Sequence, residues 1–382
     1  MSKFNNILDF IKNKFKSQET TVDNPQVVEF DDVAPRNKSE VLDGMHEKSF
    51  VLFPIDHLEK LTNELRDNPD CSYQTCFGDK LKDVSNCPKY IPVMLKSFGN
   101  AKKYVYNEIL ASRICNEMGV PTVYNTSYTD GDKEYLLSVD FLPHGERILD
   151  MEDLVYEVKD YEYFNIEQLL SCTHNVSDDL FDIFEVLHMN KSRGRNSAWK
   201  YDKTKYYEDF IMHYLVRTYI IKDMDFFPKN CCNIVDKDNN MRFGPMYDCE
   251  IAFSLDVRGG QNIASIAYIK KHYPEIFAKF CQRYNALMDR KTLNKLFADI
   301  DNKEYVKTSK KYLQDCYNNF DNVCIYANYH NENEKYWGII LWKNMINYIL
   351  SNMTMKTTSQ PIINTKTMKN ISAELCPRDL FA

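Results

Sequence analysis

Apolar residues along this chain recur with two different periods. In "KYIPVMLKSF" (89–98) and "KEYLLSVDFLP" (133–143) they form short runs that predict strands. Between these runs, "KKYVYNEILASRICNEMGV" repeats them every three or four positions and predicts an amphipathic helix, which Gly119 ends and Pro121 keeps from resuming. Beyond residue 150 the helical period dominates, in "NIEQLLSCTH", "DDLFDIFEVLHMN", "KYYEDFIMHYLVRTYIIKD", "EYVKTSKKYLQDCYNNF" and "KYWGIILWKNMINYILSNM". The strand-like interruption there is "CCNIV" and "MRFGPMYD", joined by the turn former "DKDNN", which predicts a hairpin. At the front, Phe4, Ile7, Leu8 and Ile11 mark a short helix that leads into a polar linker. The pattern predicts an α+β protein: an N-terminal helix and linker over 1–45, a small α+β lobe over 46–145, and a mostly helical lobe with a hairpin over 146–382.

A chain of 382 residues, 44% of them hydrophobic, has enough apolar surface for a large core. Its net charge of -7 gives no overall electrostatic attraction to nucleic acid or to an anionic membrane, so no nucleic-acid partner is expected. No apolar run approaches the ~18 residues a membrane span needs, so no transmembrane segment is expected. The opening "MSKFNNILDFIKNKFKSQ" has no signal-peptide pattern. The expected location is the cytoplasm, with later secretion as an effector left open. The 12 cysteines are scattered, several in apolar runs, and read as reduced thiols. Cys71, Cys76 and Cys87 lack a CxxC pair and a suitably placed histidine, so zinc is not expected.

The chemistry concentrates in "DMDFFPKNCCNIVDKDNNMRFGPMYDCE" (223–250). Phosphoryl transfer needs a carboxylate to orient the acceptor hydroxyl and hard oxygen ligands for magnesium. Asp225 suits the first task, and Asn230 and Asp248 suit the second. The stretch "DFFPKN" has the D-x-x-x-x-N spacing of a kinase catalytic loop, without the preceding His-Arg and with "DCE" where protein kinases carry Asp-Phe-Gly. Upstream, "PVMLK" closes on Lys96, in the position of a phosphate-contacting strand lysine, and Glu108 follows in the next helix as its partner. The strand ending near Val139 to Phe141 falls where an adenine edge would meet the backbone. Taken singly, Asp225, Asn230 and Asp248 also fit as turn residues, Lys96 as a solvated strand end and Glu108 as a solvated helix face. Their joint order along the chain supports the kinase reading.

On these residues the chain resembles the HipA-like serine/threonine kinases, including the CtkA-type bacterial effector kinases, over about residues 70–255. "NEILASRICNEMGVP" is similar to the family's glutamate helix, "YIIKDMDFFPKNCCNIVDKDNN" to its catalytic loop and strand, and "GPMYDCEIAF" to its magnesium segment. The resemblance implies a two-lobed protein-kinase-like fold and ATP-dependent phosphorylation of a protein substrate. It gives Asp225 as catalytic base, Asn230 and Asp248 on Mg2+, and Lys96 on the phosphates of ATP. By the same analogy Ser72 or Thr75, in a glycine-poor stretch read as the phosphate loop, are candidate autophosphorylation sites. Phe226 and Phe227 depart from the family's usual histidine or arginine. Two other readings share these motifs: a small-molecule or lipid phosphotransferase, and a non-catalytic kinase-like binding scaffold.

Overall fold

The computed structural model describes residues 47–150, 199–223, 230–253 and 263–325. In chain order the first part holds β1 (Glu47–Pro54), α1 (Glu59–Asp67), β2 (Tyr73–Gln74), β3 (Tyr90–Ser97), α2 (Lys102–Met118), β4 (Thr122–Val123), β5 (Asn125–Asp130) and β6 (Lys133–Val139). Four of the strands form an antiparallel sheet in the order β1-β3-β6-β5, while β2 and β4 make a short parallel pair. Alternation along β3 sends Ile91, Val93 and Leu95 to one face and Lys96 to the other. The first face is covered by the segment 55–89, whose Leu58, Leu61, Leu65 and Leu81 pack on it. Against the second face lies α2, through Val105 and Ile109 packed with Phe98 and Leu136.

α2 is buried on a second side as well. Its Leu110, Ala111, Ile114, Cys115 and Met118 belong to the large apolar cluster of the helical part. The helix stops as expected. Gly119 takes φ 67°, a left-handed conformation glycine adopts without the Cβ penalty, and the Val120 N–H donates to the Cys115 carbonyl.

The second part contains β7 (Arg147–Asp150), α3 (Lys203–Leu215), β8 (Cys232–Val235), β9 (Met241–Phe243), α4 (Ile263–His272), α5 (Pro274–Leu287), α6 (Arg290–Leu296) and α7 (Lys303–Asn318). Asp202 caps α3 by accepting the Thr204 and Lys205 N–H groups. The helix runs on as a π turn over Val216–Ile221 and ends where Lys222 turns left-handed, φ 48°. The expected hairpin is β8–β9, and β7 joins it to make a three-stranded antiparallel sheet. In its turn, Asp236 accepts the backbone N–H groups of Asp238 and Asn240. Strand pairing therefore changes sheet between Val139 and Arg147.

Several elements depart from the sequence expectation. Among them, β1, α1, β5 and the helix α4 over Ile263–His272 were not anticipated. The predicted helices at 4–15 and within "NIEQLLSCTH", "DDLFDIFEVLHMN" and "KYWGIILWKNMINYILSNM" lie outside the described residues. The described cysteines are all free thiols, as expected.

Candidate active site

The second face of β3 carries the site. Lys96, 2% exposed, projects toward α2 and meets the segment after β9, where its Nζ donates to Asp248 Oδ1 at 2.6 Å and to Glu250 Oε2. Glu108 of α2 comes within 4.0 Å of the same ammonium through Oε1. Its other oxygen, Oε2, accepts the Cys249 N–H at 3.0 Å. Next to it on the helix, Asn107 Nδ2 donates to the carbonyls of Glu250 at 2.7 Å and Ala252 at 2.9 Å. The tip of Asn107 is fixed in turn by the Tyr305 hydroxyl of α7, which donates to its Oδ1 at 2.9 Å.

Burial and charge oppose each other here. Burial pulls the Lys96 ammonium toward losing its proton, yet Glu108, Asp248 and Glu250 together hold its pKa above the usual lysine value. Burial pushes the Glu108 carboxyl up to about 8, against the pull of Lys96. Asp248 goes the other way: burial would raise it, but the attraction and hydrogen bond of Lys96 keep it below the ordinary carboxylate value. Lys48 adds to that pull, and it stands directly opposite Lys96 in the β1–β3 register, on the same face.

A second hub fixes the approach of the loops. Arg217, in the π turn and fully buried, donates to the Asn230 carbonyl at 2.8 Å and the Asp248 carbonyl at 3.1 Å. Its Nε and Nη2 also hold the buried Asp223 carboxylate at 2.7 and 2.6 Å. One guanidinium thus brings the backbones of Asn230 and Asp248 together. Asp248 itself takes φ 58°, a left-handed strain that these contacts sustain.

Of the residues expected in the site, Lys96, Glu108 and Asp248 converge, and Asn230 lies across Arg217 from Asp248. Asp225 lies outside the described residues. Val139 is buried with its N–H donating to the Tyr124 carbonyl, and the Asp140 backbone is engaged by Pro92 and Cys76. Phe141 stacks on Tyr247, ring centroids 6.1 Å apart, which sets an aromatic pair beside Asp248.

The expected phosphate loop is displaced, and with it Ser72 and Thr75. Cys71, Tyr73, Cys76 and Phe77 pack with Ile91, Val93 and Leu95 on the sheet face opposite Lys96. Thr75 is buried, and its hydroxyl accepts the Gly78 N–H at 2.9 Å. Ser72 is tied by its N–H to Asn116 Oδ1 at 2.7 Å. Neither belongs to a loop over Lys96.

Glu250, Arg217, Asn107 and Lys48 escaped the sequence reading. For Glu250 and Arg217 a signal existed: each is a charge inside an otherwise apolar run, "CEIAF" and "YLVRTYII".

No protein-family model and no curated protein matches the chain. Among solved structures it is similar to the Helicobacter pylori proinflammatory kinase CtkA, at 12% identity and a TM-score of 0.42, over 63% of this chain and 91% of that one. It is also similar to a chain of the Shewanella oneidensis MR-1 toxin antitoxin complex of HipA, HipB and operator DNA. There the identity is 12% and the TM-score 0.38, over 63% of this chain and 61% of that one. At such values these likenesses carry no residue roles, and the convergence of Lys96, Glu108, Asp248 and Glu250 stands on its own geometry. No helix among the described residues is long and apolar enough to cross a membrane.

Proposed function

We propose that this chain is an ATP- and magnesium-dependent serine/threonine protein kinase of the HipA-like type. The observation that carries the reading is the ion pair between Lys96 and Asp248, 2.6 Å apart although 152 residues separate them in sequence. It joins the strand lysine to the carboxylate expected on the metal, in the order phosphoryl transfer requires.

The residues fit a hard divalent cation. Carboxylate oxygens of Glu108, Asp248 and Glu250 lie within 4.8 Å of one another, against the single Lys96 ammonium that bonds to two of them. An all-oxygen donor set with excess negative charge suits magnesium. In this reading Asp248 and the Asn230 side chain would hold the ion, which would supply positive charge against the transferred phosphate. Lys96 would offer its ammonium to the nucleotide's phosphates. Asp225 would accept the hydrogen bond of the acceptor hydroxyl and take its proton as the hydroxyl oxygen bonds the γ-phosphorus and the bond from that phosphorus to the ADP oxygen breaks, releasing ADP. Arg217 keeps the catalytic and metal-binding segments in register by gripping both backbones.

The test is the intact mass of the full chain after incubation with magnesium and ATP, beside Asp248→Asn. Phosphate gained by the parent alone is the expected result. No gain, together with no ATP binding by the same sample, overturns the reading and favours a binding scaffold. Transfer to a small hydroxyl compound and not to protein would favour the small-molecule phosphotransferase.

A further inference from the structure

In the kinase pattern the strand lysine is held by the helix glutamate, here Glu108. The geometry points to a different division of labour: Glu250 is the positioning residue that holds Lys96, while Glu108 and Asn107 hold the segment that carries Glu250. This rests on the phosphotransferase reading for its functional consequence, though not for the contacts themselves.

Four observations converge on it. Glu250 Oε2 accepts a hydrogen bond from Lys96, whereas the nearer oxygen of Glu108 stands at 4.0 Å, beyond hydrogen-bond reach. The other Glu108 oxygen is committed to the Cys249 N–H. Asn107 takes the carbonyls of Glu250 and Ala252, so α2 grips the backbone on both sides of Glu250 and fixes where its side chain starts. Tyr305 closes the chain of contacts by fixing Asn107 from α7. The aspartate's neighbour two positions on, rather than the helix glutamate, then sets the height of the ammonium over the sheet. Asp248 is thereby left to exchange Lys96 for the cation without setting the lysine adrift.

Two measurements on the full chain test this. The first needs no nucleotide: urea midpoints for Lys96→Met, Glu250→Gln, Glu108→Gln and the two double variants give pairwise couplings. The Lys96–Glu250 coupling is expected to exceed the Lys96–Glu108 coupling. The second is the affinity of a fluorescent ATP analogue with magnesium. Glu250→Gln is expected to weaken it about tenfold, the scale of one charge-assisted hydrogen bond, and Glu108→Gln to leave it within about threefold. A larger Lys96–Glu108 coupling, or a Glu250→Gln variant that binds the analogue as well as the parent, overturns the assignment. Should Glu250→Gln fail to fold, Asn107→Ala, which frees the same segment, is expected to weaken analogue binding about as much. Unchanged binding there also overturns it. A parent that binds no analogue while the couplings come out as expected removes the kinase reading and leaves Glu250 as the lysine's anchor.

Discussion

Arg217 shows at the residue scale what the site costs to assemble. Its guanidinium and the Asp223 carboxylate are both fully buried, and their mutual contacts leave the remaining donors for the Asn230 and Asp248 carbonyls. Arg217→Met leaves a buried carboxylate without its cation, and breaking such a pair costs about 3–5 kcal/mol. The expected outcome is an unfolding free energy, from urea titration, lowered by that amount and, on the kinase reading, loss of phosphoryl transfer in whatever fraction still folds. Four residues earlier, His213 packs edge-on against Phe243, ring centroids 5.0 Å apart, and its Nε2 lies 4.0 Å from Cys231 Sγ. Burial, helped by Arg217, holds its imidazole well below the usual 6.5. Below pH 6.5 the unfolded chain therefore binds a proton that the folded chain refuses, so stability rises with pH through this window and falls on acidification. The slope from this one group approaches about 1.4 kcal/mol per pH unit. Thermal unfolding of the parent between pH 5 and 6.5 is expected to show it, and His213→Asn to flatten it. An equal slope in both would assign the dependence to other groups.

α2 is the element on which the site turns, because it is buried both on the sheet and on the helical part. Its end is equally constrained: a Cβ on Gly119 would lie 1.4 Å from Arg283 Nη1, and the residue is left-handed. Gly119→Ala is expected to destabilise by about 1–2 kcal/mol, the left-handed penalty of a residue with a Cβ, plus whatever displacing Arg283 adds. Loss of thermal stability checks it. This helix, β3, β6 and the hairpin were legible in the sequence because period and stop signals agreed. β5 was not, since "NTSYTD" is largely polar and owes its existence to pairing with β6. Within the site, Lys96, Glu108 and Asp248 were legible from their order. Glu250 was not, because spacing alone does not say which of two nearby carboxylates turns toward a distant lysine, and only the grip of Asn107 on its backbone decides that.

For the whole molecule, the β1–β3 register determines which stretch can reach Lys96. Lys48 pairs with Lys96 and Pro54 with Tyr90, so the chain enters β1 at the lysine's end of the sheet and leaves at the other. From Tyr90 to Lys96 the strand rises about 20 Å, at ~3.4 Å per residue. The segment 55–89 starts and ends at that remote edge and packs on the opposite face. Ser72 and Thr75, which belong to that segment, therefore do not lie over Lys96. Thr75 would in addition have to break the turn it caps at Gly78 to expose its hydroxyl. In protein incubated with magnesium and ATP, the peptide carrying both residues is expected to stay unmodified. A chain with Ser72→Ala and Thr75→Ala together is expected to gain as much phosphate as the parent. Phosphate mapped to Thr75 would instead mean that the 55–89 segment leaves the sheet during turnover, exposing the apolar face of Ile91, Val93 and Leu95 that it now covers.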